Sequence, residues 1–296
     1  MDTAAKWLQI IVSTDAENSE TISQHLETLG ALSVTLQDAG DEALFEIEPH
    51  SQSRWQHTKI VGLFENQQNV DALSQSFQEL CGGNTPQFTI EPLEDEAWER
   101  RCLGDFKPMQ FGKNLWIIPS WSESLPADNA RLIRLDPGLA FGTGTHPTTA
   151  LCLQWIDSAD FGDKRVIDYG CGSGILAIAA IQCGASFVDA VDHDEQALIA
   201  TIDNAEKNHC REQIATYLPD AAKLSSTDIV FANILAGPLI KLAPTLADLC
   251  KQGGNLILSG LLAEQFELIE TAYYPWFDLS PPLEKEGWLL IECIKR

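Results

Sequence analysis

The 296 residues predict an α/β protein: an open, mostly parallel sheet with an antiparallel closing strand, preceded by a smaller α+β domain. Three observations predict this. Apolar strands and helical stretches alternate over residues 136–296, which gives a parallel sheet covered on both faces. A glycine cluster, Gly170-Cys171-Gly172-Ser173-Gly174, follows one of those strands directly and opens a helix. Residues 1–93 carry a separate β-α-β-β-α-β pattern, the split arrangement of ferredoxin-like domains.

In the first section, 1–93, Trp7 to Val12 is an apolar run suited to a strand. Asp15 to Gly30 follows with helical spacing through Ile22, Leu26 and Leu29 and a glycine stop. Ala31 to Leu36 and Ala43 to Ile47 read as a strand pair around a turn at Asp38 to Glu42. Val70 to Leu80 is the second helix, and Gln87 to Ile90 the last strand. Residues 94–135 read as a connector containing a helical piece, Glu94 to Arg101, and a strand, Leu115 to Pro119. In 136–296, strands are expected at Val166–Tyr169, Phe187–Val191, Ile229–Ala232 and Asn255–Ser259. Helices are expected at Gly174–Gln182, Glu195–Asn208, Pro238–Leu249 and Ala263–Tyr273. Phe277–Leu279 and Trp288–Ile294 flank Pro281-Pro282 without a helix between them, so they read as a closing antiparallel pair.

Composition narrows the function. The formal net charge is −24, from 43 acidic and 19 basic residues. Such a chain lacks the basic surface that displaces counterions from nucleic acid or docks on anionic lipid. A basic protein is the better electrostatic match. Residues 1–93 hold 14 acidic against 3 basic side chains, so the charge is densest outside the section that carries the chemistry. No apolar run reaches the roughly 18 residues of a membrane helix, and the first residues do not read as a signal peptide, so the expected location is the cytosol. The eight cysteines show no C-x-x-C and the histidines no H-x-x-x-H, so no metal site is expected.

The chemistry-bearing residues follow in order. The glycine turn after Val166-Ile167-Asp168-Tyr169 lies at the carboxyl end of a strand, where ligands of open α/β sheets sit. Its spacing is G-x-G-x-G rather than the G-x-G-x-x-G of dinucleotide folds. Gly170 and Gly172 let a ligand approach the backbone. Asp192 ends the next strand, where its carboxylate can accept from both hydroxyls of a ribose, and Asp194 is the better cap for the following helix. Together these point to an adenosine-containing ligand; by themselves they do not separate S-adenosylmethionine from NAD. Asn233 ends the strand Asp228 to Ala232, expected beside the glycine turn. A neutral acceptor there can orient an amine without raising its pKa, as a carboxylate would. The loop Asp136-Pro-Gly-Leu-Ala-Phe141-Gly-Thr-Gly-Thr-His146-Pro-Thr-Thr149 lacks the lysine of a phosphate loop. Its glycines and hydroxyls, and a helix begun at Pro147, suit a carboxylate.

The glycine turn with Asp168 resembles motif I of Rossmann-like, class I methyltransferases that use S-adenosylmethionine. The loop 136–149, the turn 168–174, Asn233-Ile-Leu-Ala-Gly-Pro-Leu239, Phe106-Lys-Pro-Met-Gln-Phe-Gly112 and Leu115 through Trp121 together resemble the bacterial ribosomal protein L-eleven methyltransferases over essentially the whole chain. The resemblance implies S-adenosyl-L-methionine as donor. It implies the ribosomal stalk-base protein as acceptor, trimethylated on lysine side chains and on its N-terminal amine. Residues 1–93 would be the substrate-recognition module, joined by a flexible connector. Thr149, Gly170, Asp192 and Asn233 would contact the donor, with Gly172 and Phe141 from the same motifs, and Asn233 would be the catalytic residue. A monomer that touches neither nucleic acid nor membrane is expected. Ala97 and Cys102 depart from the family's usual Asp and Trp.

Overall fold

A computed structural model of the chain describes residues 7–40, 55–65, 69–93, 107–122, 130–136 and 144–296. It divides into two units, 1–98 and 99–296.

The first unit is a four-stranded antiparallel sheet with two helices. Its elements are β1 (Trp7–Asp15), α1 (Ser19–Thr28), β2 (Ser33–Asp38), β3 (His57–Glu65), α2 (Val70–Cys81) and β4 (Phe88–Leu93). The strand order is β2-β3-β1-β4, the ferredoxin-like arrangement. Alternate residues Leu8, Ile10 and Val12 of β1 and Ile60 and Phe64 of β3 point to one face, which Ile22 and Leu26 of α1 and Leu73 and Phe77 of α2 cover. Asn69 caps α2 by accepting from the Asp71 and Ala72 amides, and Gly82 ends it at φ +60°. Strand β2 pairs with His57–Glu65, in register from Ser33↔Leu63 to Asp38↔Thr58. The expected partner, Ala43–Ile47, lies outside the described residues.

The second unit opens with β5 (Met109–Phe111), β6 (Leu115–Ile118) and β7 (Arg131–Arg134), a three-stranded sheet. Phe111, Leu115, Ile117, Ile133 and Leu135 of this stretch join the same buried core as the helices described next, which removes their apolar surface from water. The helical piece expected at Glu94–Arg101 lies outside the described residues.

The remaining elements alternate: α3 (Pro147–Ser158), β8 (Arg165–Tyr169), α4 (Ile175–Gln182), β9 (Phe187–Val191), α5 (Glu195–Lys207), β10 (Ile214–Tyr217), β11 (Thr227–Asn233), α6 (Ala236–Leu249), β12 (Cys250–Leu262), α7 (Phe266–Tyr273), β13 (Phe277–Leu279), β14 (Leu283–Lys285) and β15 (Trp288–Lys295). The sheet order is β10-β9-β8-β11-β12-β15-β13, with β14 paired to β15. The first five run parallel, and β15 closes antiparallel to β12. Successive strand residues serve opposite cores. Val166, Ile229 and Phe231 pack with α3 and α4 on one face; Ile167, Val230 and Ala232 pack with α6 and α7 on the other. This is why these strands read as unbroken apolar runs. Strands β10 and β14 had no sequence expectation. Helix α6 begins two residues before Pro238, which sits in the first turn, where a missing N–H costs nothing.

Buried Asn208 holds β7 to the end of α5. Its side-chain oxygen accepts from the Arg134 amide (2.7 Å), and its side-chain amide donates to the Arg134 carbonyl (2.8 Å). Asn208→Ala leaves both backbone groups without these partners and is expected to lower stability by about 1–3 kcal/mol, read as a fall in the urea midpoint at unchanged slope.

Candidate functional site

Strands β8 and β11 are neighbours, yet β8 leads into α4 on one face of the sheet and β11 into α6 on the other. The chain therefore parts at their carboxyl ends, and a crevice opens there. It holds a cavity of about 630 Å³. Five of the six residues expected to meet the donor line it: Thr149, Gly170, Gly172, Asp192 and Asn233. Phe141 lies outside the described residues.

Each lining residue has a local cause. Gly170 has φ +83°, and a Cβ there would overlap Cγ2 of Ile234 from the neighbouring strand end, so only glycine fits. Asp192 is nearly buried. Its Oδ2 accepts from the Gly172 amide (2.9 Å) and its Oδ1 from the Asp194 amide (3.1 Å), which ties the end of β9 to the glycine turn. Asp194 caps α5 by accepting from the Gln196 amide (2.9 Å), as expected. Thr149 lies in the first turn of α3, whose first residue is Pro147 and whose cap is His146.

Sequence reasoning missed His146 and Trp288, which also line the cavity. The His146 Nδ1 lies 2.7 Å from Thr148 Oγ1, and its ring meets Trp288 edge-on with centroids 4.8 Å apart. Burial pushes the imidazole below its ordinary pKa, against a raising effect from Glu286, so it is neutral at pH 7. Trp288 reaches the site by a tight hairpin: Glu286 (φ 53°) and Gly287 (φ 80°) both take left-handed conformations, as a type I′ turn requires. Glu286-Gly287 directly before the apolar run Trp288–Ile291 was the available signal.

Asp168 stands at the end of β8, fully buried. Its Oδ2 accepts from the Ala177 amide (3.1 Å), whereas Oδ1 meets no partner. Burial pushes its carboxyl up to about 7; the Ala177 bond pulls against that, and the Asp192 charge adds to it. Among the described lining residues the charged or titratable side chains are Asp192, His146, His193 and Tyr169, and none is lysine or arginine. The site therefore favours a cationic ligand over one with phosphates. Among the described residues no cluster of His, Cys, Asp or Glu could hold a metal ion.

A Rossmann-like sheet with this strand order, a G-x-G-x-G turn and an Asn-ended fourth parallel strand define a class I methyltransferase. Comparison with known proteins names the family. The model of the ribosomal protein L11 methyltransferase family matches residues 6–296, and this chain belongs to that family. A relative so named from Ectopseudomonas mendocina (strain ymp) is 47% identical over 291 residues, covering 98% of this chain and 99% of its own. Another from Shewanella sediminis (strain HAW-EB3) is 46% identical over 292 residues, covering 98% and 99%. The crystal structure of a ribosomal protein L11 methylase from Lactobacillus delbrueckii subsp. bulgaricus superposes with a TM-score of 0.58 at 33% identity. It covers 64% of this chain and 100% of that one.

The pKa of Asp168 makes a stability prediction. In the folded chain the carboxyl keeps its proton up to about pH 7; unfolded, it loses it near pH 4. Between these values the unfolded state binds fewer protons, so stability falls as pH rises through the window, by up to about 4 kcal/mol. Asp168→Asn is neutral throughout. It should raise the urea midpoint at pH 8 and leave it nearly unchanged at pH 4; parallel profiles for variant and parent would contradict the assignment.

Proposed function

We propose that the protein transfers methyl groups from S-adenosyl-L-methionine to amines of ribosomal protein L11, on lysine side chains and on the N-terminal α-amine, up to the trimethylated state. The observation that carries this is the meeting, in one crevice, of the β8 glycine turn and Asp192 with Asn233 at the adjacent strand end. The names of the relatives supply the acceptor.

The residues fit the donor. The left-handed turn at Gly170 brings the backbone up to the cavity, Asp192 stands where a ribose would be held, and the α3 N-terminus at Thr148 and Thr149 suits a carboxylate. The lining, with Asp192 and no lysine or arginine among its described residues, suits a net cation, which favours this donor over NAD. When bound, S-adenosylmethionine supplies an electrophilic methyl on a sulfonium.

The chain's own part is alignment and exclusion of water. A lysine must enter as the neutral amine. At a reference pKa near 10.4 only about one in 2,500 is neutral at pH 7, a cost of about 4.6 kcal/mol. The apolar wall of Ile175, Leu235, Leu242 and Trp288 disfavours the ammonium form. Asn233, a neutral acceptor, orients the amine's N–H groups without stabilising its charge. The N-terminal α-amine, with a reference pKa near 8, needs less help. Units 1–98 and 99–296 would divide the work: recognition of the acceptor in the first, chemistry in the second. We further infer a cytosolic monomer that binds no nucleic acid; among the described residues no helix is long and apolar enough to cross a membrane.

Incubation with methyl-labelled donor and unmodified ribosomal proteins should label L11 alone; label on another protein would keep the methyltransferase and overturn the acceptor. Asn233→Ala should lower turnover at least about 100-fold, read by mass spectrometry of L11, and full activity would remove it from the mechanism. Asp15→Asn, Glu17→Gln, Glu20→Gln and Glu27→Gln together should raise KM for L11 and leave kcat at saturation intact; an unchanged KM would rule out electrostatic recruitment by this unit.

A further inference from the structure

Strand β12 runs beside β11 with Ser259 opposite Asn233. Immediately beyond, its register against β15 shifts between Ser259 and Leu261, so Gly260 is a bulge residue. Its φ is +89°, and it lines the cavity. A Cβ on Gly260 would run into the backbone of Ile234, into the carbonyl oxygen, the carbonyl carbon (2.7 Å) and the nitrogen (3.0 Å). Backbone cannot swing aside as a flexible side chain can. On its other side Ile234 lays Cγ2 where a Cβ of Gly170 would be. The residue that follows Asn233 is thus held twice, its peptide against Gly260 and its side chain against Gly170.

That seat lies where the β11 ladder stops. Past Asn233 the chain leaves the sheet and turns into α6 at Leu235, a cap residue with no side-chain bond to the helix. The direction of the Asn233 amide therefore depends on how the next peptide is fixed. Bulges beside active sites commonly re-aim a side chain in this way. An in-line displacement tolerates little error: a 1 Å misplacement costs about 100-fold.

We propose that Gly260 is a positioning residue for the acceptor amine: its bulge seats the Ile234 peptide, and that seat, completed by Gly170, aims the Asn233 amide. The proposal rests on the reading of Asn233 as the group that orients the amine.

The test uses the full-length protein, the donor and unmodified L11, with Gly260→Ala and Ile234→Leu. The second variant removes the Cγ2 branch that lies on Gly170 and keeps the volume, a change that cores tolerate. For each, four quantities are measured: donor Kd by calorimetry, kcat and KM for L11, thermal midpoint, and amide hydrogen exchange over residues 233–237. Gly260→Ala should lower kcat roughly 100-fold and Ile234→Leu roughly tenfold, with donor Kd and KM within about threefold of the parent and faster exchange at Ile234 and Leu235. Should Gly260→Ala fail to fold, Ile234→Leu decides alone. Parental kcat and parental exchange would overturn the proposal. So would a kcat loss matched by equal losses of donor affinity and thermal midpoint, which would make the bulge a structural feature only. If the parent binds donor but methylates nothing, the functional reading fails, and the exchange measurement still decides whether the two glycines hold the peptide.

Discussion

Two parallel strands, β8 and β11, hydrogen-bond along their length and then release the chain in opposite directions. No connection can cross the gap this leaves, because the helix after each strand must return over its own face of the sheet to bury the residues that strand has turned that way. Val166, Ile229 and Phe231 commit one face; Ile167, Val230 and Ala232 commit the other. The crevice is thus a consequence of covering the sheet twice. What makes it a site is that both strand ends carry unusual residues: a glycine turn on β8 and an asparagine on β11. The closing strand β15 then brings Trp288 into the lining.

The electrostatics run against first intuition. A net charge of −24 would attract a basic acceptor, but a negative field also favours the protonated amine, which cannot attack. The groups around the glycine turn limit that conflict. Asp192 is occupied by the Gly172 and Asp194 amides at the end of β9, and Asp168 is sealed below the turn with its carboxyl pushed toward neutrality. Asn233, on the acceptor's side, is uncharged. His146 is held neutral by burial, so it adds no positive charge beside a cationic donor.

What was legible in the sequence was local. The turn at 170–174, the cap at Asp194, and the strand ends at Asp192 and Asn233 each follow from residues close in the chain, and the sheet order then brings them together. What was illegible depended on pairing. His57–Glu65 carries no sequence mark that names its partners; only its register with β1 and β2 makes it a central strand of the first sheet. Likewise Leu115–Ile118 reads as a strand by itself, but its partners Met109–Phe111 and Arg131–Arg134 emerge only from pairing.

The same distinction separates the two glycines that hold Ile234. Gly170 stands in a recognisable cluster, so its role could be argued from spacing. Gly260 stands alone in Leu-Ile-Leu-Ser-Gly-Leu-Leu, where the sequence ends the expected strand at Ser259 and the structure carries it on to Leu262. A lone glycine there weakens a strand unless something approaches its Cα closely, and that mismatch is itself the signal. What approaches is the peptide of Ile234, the first residue after the asparagine. A donor pocket can be built from one strand and its turn. Aiming a nucleophile at that donor needs the neighbouring strand end, and fixing that end needs the strand beyond it, so the precision of the acceptor side rests on a residue two strands away from the glycine turn.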